Sequence, residues 1–194
     1  IKIGNNSWSV ISSSGSYSTA IDTTGALYTW GGNALGQLGD GTTINKSSPV
    51  QIGSSSWAAI GTTTNAGMTP AIDINGALWM WGNNAIGQLG DGTTINKSSP
   101  VKIGSSSWSF VSAGYGQSTA IRSDGALFTW GYDGYGLLGL TTRDVNKSSP
   151  TQVGALTNWL KTSTIVFWVN AIKTNGTMWS WGKNNNGCLG VNIS

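Results

Sequence analysis

Seven aspartates make up the whole acidic inventory of this chain, and it contains neither histidine nor glutamate. A hydroxyl or thiol nucleophile needs a base that titrates near neutrality, so Ser-His-Asp and Cys-His chemistry is closed. Acid–base work would fall to pairs among Asp22, Asp40, Asp73, Asp91, Asp124, Asp133 and Asp144. Several of these recur at matching places instead: Asp22 to Asp73 and Asp40 to Asp91 are both 51 residues apart. Each carboxylate is expected to bond its own turn, as Asp does in Asx-turns. Asp40-Gly41-Thr42 and Asp91-Gly92-Thr93 look like pieces of a calcium loop. They lack the alternating acidic positions and the distal Glu of a complete one. No metal and no cofactor is expected, and no glycine-rich phosphate cradle is present. Cys188 is the single cysteine, read as a small buried hydrophobe beside a turn. Asn5, Asn45, Asn96, Asn146, Asn175 and Asn192 head Asn-x-Ser/Thr sequons, which their recurrence within a repeat marks as coincidental. The reading is of a protein that is not an enzyme.

The elements that position these residues repeat. Trp30, Trp81, Trp130 and Trp181 each precede a glycine and are spaced 51, 49 and 51 residues apart, while Trp8, Trp57, Trp108 and Trp159 keep step at 49, 51 and 51. A fixed period near fifty with glycines and aromatics at set offsets marks a repeat architecture. Ala26, Tyr28 and Trp30 alternate with Leu27 and Thr29, and the later units copy this period-two pattern, so the run ending in Trp-Gly is a strand. A short apolar strand precedes it (Thr19–Asp22 in the first unit) across a hairpin whose tip is Gly25, Gly76, Gly125 or Gly176. A strand opening at Trp8, Trp57, Trp108 or Trp159 comes first, and one opening at Pro49, Pro100 or Pro150 comes last. Four short antiparallel strands per fifty residues, with no amphipathic helical window, describe one propeller blade. Leu38 and Leu89 are expected to plug inward from the connecting segments. The units run approximately over 8–53, 57–104, 108–154 and 159–194. Residues 1–4 form the tail of a preceding unit or a closing strand, and both ends suggest a section of a longer polypeptide.

The units resemble the regulator-of-chromosome-condensation repeat family. The resemblance rests on W-x-x-V-x-x-G, then A-I-x-x-x-G-x-L-x-x-W-G-x-N-x-x-G-Q-L-G-x-G, then P-V, and it covers essentially the whole chain. It implies an all-β propeller of which this chain supplies about four blades, part of a larger and often seven-bladed ring. The histidine common before the second strand is replaced by Tyr17, Met68, Gln117 and Trp168. Gly36–Val50 and Gly87–Val101 are identical over 15 residues. This near-verbatim repetition is similar to the versions found in bacterial secreted proteins and bacteriophage virion proteins.

Charged residues make up 9% of the chain and the net charge is +3, with the basic residues scattered singly. No electrostatic footprint for nucleic acid exists, nor an apolar run long enough for membrane insertion. The expected role is a structural and interactive scaffold, extracellular or in a virion, whose partners are other subunits of an assembly and a host-surface glycan or protein. Three units depart from the pattern: the second carries two extra residues between Trp57 and Ala71, the third replaces Asp-Gly-Thr-Thr-Ile-Asn by Leu140–Asn146, and the fourth replaces the polar Ser-Gly-Ser-Tyr-Ser by Thr164–Trp168. Tyr115, Tyr132 and Tyr135, with Asp133, Arg143 and Asp144, are the expected contact residues. Two other roles stay open: an inhibitor module similar to secreted propellers that block β-lactamases, and a guanine-nucleotide exchange factor.

Overall fold

The computed structural model describes residues 1–64 and 67–191. Asn65 and Ala66 of the second unit's insertion, the Asn192 sequon and the end of the fourth unit lie outside the described residues. The first blade is β1 (Trp8–Ser14), β2 (Tyr17–Asp22), β3 (Leu27–Gly31) and β4 (Lys46–Gln51), hydrogen-bonded in that order as an antiparallel meander. The second comprises β5 (Trp57–Ile60), the two-residue β6 (Thr62–Thr63), β7 (Met68–Asp73), β8 (Ala77–Gly82) and the first part of β9 (Lys97–Ala113). The rest of β9 opens the third blade, followed by β10 (Gln117–Arg122), β11 (Leu127–Gly131) and β12 (Lys147–Gln152). The fourth holds β13 (Trp159–Thr164), β14 (Trp168–Lys173) and β15 (Met178–Gly182).

One element differs from the expectation. The outer strand of blade 2 and the first strand of blade 3 were read as separate pieces joined by Gly104–Ser107, and they form the single strand β9. Its first part pairs with β8 at Lys102 and Val101, and its last part with β10 at Val111 and Phe110. Gly104 keeps the left-handed turn seen at Gly53 and Gly154, with φ of 62°, and the strand continues through it because Ser107 still pairs with Ala77 of β8.

The core lies between blades. Ile21, Leu27 and Ile52 of blade 1 pack with Trp57, Ala71 and Trp81 of blade 2. Met68, Ile72, Leu78, Leu89 and Ile103 pack with Trp108, Val111 and Trp130 of blade 3, and Ile121 and Leu127 with Trp159 and Ala171 of blade 4. Burying each aromatic contributes several kcal/mol at ~25 cal/mol per Å². Within each blade the opening Trp meets the middle aromatic of the third strand edge-on, as in Trp8–Tyr28 at 5.3 Å and Trp108–Phe128 at 5.2 Å between centroids. Leu38 and Leu89 are fully buried, as expected.

Polar bonds fix how the blades sit against each other. The Trp81 indole N–H donates to the Gln37 carbonyl, Trp130 to Gln88 and Trp181 to Leu137. The positions where histidine was missed also bridge blades: Tyr17 donates its hydroxyl to the Met68 carbonyl and Gln117 its amide to the Ile165 carbonyl. A seam of hydroxyls links the first and second strands of neighbouring blades. Thr62 and Thr164 both donate to Ser112 Oγ at 2.9 Å, and the Thr119 and Thr162 hydroxyls lie 2.7 Å apart.

Candidate partner-binding rim

A four-stranded meander sends its 1–2 and 3–4 connections to one end and its 2–3 hairpin and exit to the other. Tyr115 lies in the 1–2 connection of blade 3 and Tyr132, Tyr135, Arg143 and Asp144 in its 3–4 connection, so all five share one rim. Tyr115 is 59% exposed, Tyr135 53% and Tyr132 38%, and Arg143 and Asp144 are exposed. Tyr135 and Asp144 adopt left-handed backbone, with φ of 66° and 59°, which is uncommon for residues other than glycine.

Asp133 departs from the expectation. It is completely buried, so it cannot reach a partner. The reason is local: Asp133 stands where Asn33 and Asn84 stand, and like them it bonds the turn from inside, its Oδ1 accepting the Leu138 amide at 3.0 Å. Cys188, expected to be buried, is only partly so, and its thiol faces the Asn185 carbonyl.

Two rim residues escaped the sequence reading. Phe167, 42% exposed in the 1–2 connection of blade 4, meets Tyr135 edge-on at 6.1 Å between centroids. The Lys183 ammonium sits over both rings, 4.8 Å from the Tyr135 centroid and 5.0 Å from that of Phe167. Cation–π contacts of this kind contribute ~0.5–1 kcal/mol at exposed sites. Phe167 and Lys183 also line a cleft of about 310 Å³ with Trp168, Asn185, Asn186 and Cys188. The replacement of Ser-Gly-Ser-Tyr-Ser by Thr164–Trp168 was the signal for Phe167; nothing in sequence pairs it with Tyr135 across a blade boundary.

The remaining acids serve turns. Asp22, Asp40, Asp73, Asp91 and Asp124 each accept a backbone amide two residues on or nearby. Asp40 and Asp91 also pair with Lys46 at 3.1 Å and Lys97 at 3.2 Å. Burial alone would raise the Asp91 carboxyl, but bonds from the Thr93 hydroxyl and amide, Lys97 and Asn84 outweigh it and hold it below the ordinary value; Asp40 behaves alike. The repeat sequons are structural, since Asn45, Asn96 and Asn146 accept the amides of Asn33, Asn84 and Asp133. Among the described residues no three of His, Cys, Asp and Glu converge as a metal cluster, and no helix is long and apolar enough to cross a membrane. An apolar cleft of about 260 Å³ on blade 1, lined by Ile3, Trp8, Ile11, Ala20 and Trp30, lies on the face that neighbouring blades cover in blades 2 and 3.

The family model for the regulator of chromosome condensation (RCC1) repeat matches residues 24–61, 75–121 and 124–165. The chain belongs to the RCC1 repeat family. Human HERC2, an E3 ubiquitin-protein ligase, is 34% identical over 90 residues, 45% of this chain and 2% of HERC2. The ultraviolet-B receptor UVR8 of Arabidopsis thaliana is 29% identical over 102 residues, 52% of this chain and 23% of UVR8. The fold of human WBSCR16 superposes on the whole chain with a TM-score of 0.86 at 21% identity, and yeast RCC1 (Prp20) with 0.82 at 18%. The chain spans about half of each: 52% and 48%. This is the fold of an RCC1-type β-propeller, one generally used for binding and scaffolding.

Proposed function

We propose that this RCC1-repeat chain is a non-enzymatic structural and interaction module of a virion appendage or an extracellular bacterial surface protein, and that the rim of blades 3 and 4 takes a protein or glycan partner. The observation that carries the reading is the cluster of Tyr135, Phe167 and Lys183, exposed with Tyr115 and Tyr132 on one rim. Aromatic residues are enriched at the anchoring positions of protein interfaces, and flat rings with a nearby donor suit stacking on sugars. Yeast RCC1 has been crystallised with Kap60 bound, and a Prp20p structure was reported with its binding to Gsp1p and histones; those partners belong to those proteins. The virion or surface setting rests on the near-verbatim repetition and the low charge of the chain.

The test is binding of candidate subunits and a glycan array by the intact protein and by a Tyr135→Ala/Phe167→Ala variant. The reading expects binding to fall at least tenfold with an unchanged melting temperature. Binding that survives this variant and is lost on changing the opposite hairpins, at Thr23 or Asn75, overturns it. Stimulated nucleotide release from a small GTPase would favour exchange activity instead, and a tight complex with one soluble enzyme would favour an inhibitor.

A further inference from the structure

Blade 3 differs from its neighbours at one buried atom. In blade 1 the 3–4 turn is closed by Asn33: its Oδ1 accepts the Leu38 amide at 2.9 Å and its own amide donates to Asn45 Oδ1 at 2.8 Å. Its Nδ2 then donates into a cage of oxygens, Asp40 Oδ1 at 3.1 Å, the Thr42 carbonyl at 3.0 Å and the Ile44 carbonyl at 3.2 Å. Asn84 repeats the arrangement with Leu89, Asn96, Asp91, Thr93 and Ile95. Asp133 keeps both anchors, accepting the Leu138 amide at 3.0 Å and donating its own to Asn146 Oδ1 at 3.1 Å. Its second oxygen therefore stands where the amide nitrogen stood.

At that place a donor has become an acceptor. Asp133 Oδ2 is buried and has no hydrogen-bond partner among the described residues. Val145 precedes Asn146 as Ile44 precedes Asn45. The lysine-paired carboxylate is gone, because Leu140 replaces Asp40. The Arg143 side chain is exposed and lies toward Gly136. A buried carboxylate oxygen with no donor is costly unless a positive charge meets it.

We propose that the blade 3 turn, residues 133–146, binds a hard divalent cation of the calcium class. Asp133 Oδ2 is the buried ligand, and main-chain carbonyls of the 141–145 loop, the exposed Asp144 carboxylate and water complete the shell. Calcium suits this set better than magnesium because it accepts six to eight oxygens in irregular geometry. The loop is one residue longer than its counterpart: Trp130 to Asn146 spans 16 positions where Trp30 to Asn45 spans 15. Blades 1 and 2 bind no such ion here, since the asparagine amide already fills their cages.

Thermal unfolding of the protein with EDTA and with millimolar Ca²⁺ tests this. Ca²⁺ should raise the melting temperature by about 2–8 °C, and Tb³⁺ should give luminescence sensitised by Tyr132 and Tyr135. Asp133→Asn restores the residue of blades 1 and 2, so it should fold, melt in EDTA at least as high as the unaltered protein, and lose both metal responses. Asp144→Asn should weaken the response without abolishing it. A melting temperature blind to Ca²⁺, or a Ca²⁺ response that persists in Asp133→Asn, overturns the proposal.

Discussion

The indole N–H of Trp81 donates to the main-chain carbonyl of Gln37, 44 residues earlier and one blade back, at 3.0 Å. Gly39 lies against the same indole: a Cβ there would come within 2.5 Å of Trp81 Nε1. The contact recurs between Trp130 and Gly90, where the distance would be 2.6 Å. The Gly-Gln-Leu-Gly turn is thus a socket for the tryptophan of the next blade. This explains why the Trp-Gly pair and that turn repeat together through the chain.

Trp81→Phe and Trp130→Phe should each destabilise the protein by about 1–3 kcal/mol, through lost volume and a lost buried hydrogen bond, while the Thr69 and Ser118 hydroxyls keep the Gln37 and Gln88 carbonyls partnered. Trp30 is partly exposed and finds no such carbonyl among the described residues, so Trp30→Phe should cost clearly less. Urea unfolding of the three variants makes the comparison. Equal losses would contradict the socket.

Glycines in the same backbone conformation should respond differently according to what lies beside them. Gly53 has φ of 61° and nothing within 4 Å of an added Cβ, whereas Gly39 has φ of 78° and faces the indole. Gly53→Ala should cost only the backbone preference, ~1–2 kcal/mol. Gly39→Ala should add a steric clash to that and cost distinctly more, read as the difference in melting temperature.

Asp40 and Asp91 have carboxyls held below their ordinary value in the fold. As pH falls the unfolded chain takes up their protons first, so their contribution is complete above the unfolded carboxylate value of ~4. It is lost as pH drops through the lower folded values. The melting temperature should therefore fall below about pH 4, and an Asp40→Asn/Asp91→Asn variant should show a shallower decline.

Strand order was legible in the sequence because aromatics at period two and glycines at hairpin tips have one structural reading. Trp57, Leu38 and Gly25 lie where that pattern places them. The continuous β9 was not legible, since Gly104–Ser107 looks the same as the connections that do break. The inward turn of Asp133 was readable only by aligning it with Asn33 and Asn84 and asking what the asparagine bonds. The rim was half legible: Tyr115, Tyr132 and Tyr135 stand out as departures from the repeat. Phe167 and Lys183 join them only through blade-to-blade packing, which separates Tyr135 from Lys183 by 48 positions in the chain.

The most direct measurement is site-specific photo-crosslinking in the native assembly, with the probe at position 135 on the rim and, separately, at position 75 on the opposite hairpins. The account predicts a defined partner adduct from position 135, lost when Phe167 and Lys183 are also changed to alanine, and none from position 75. An adduct from position 75 alone, or one from position 135 that ignores those changes, would contradict it.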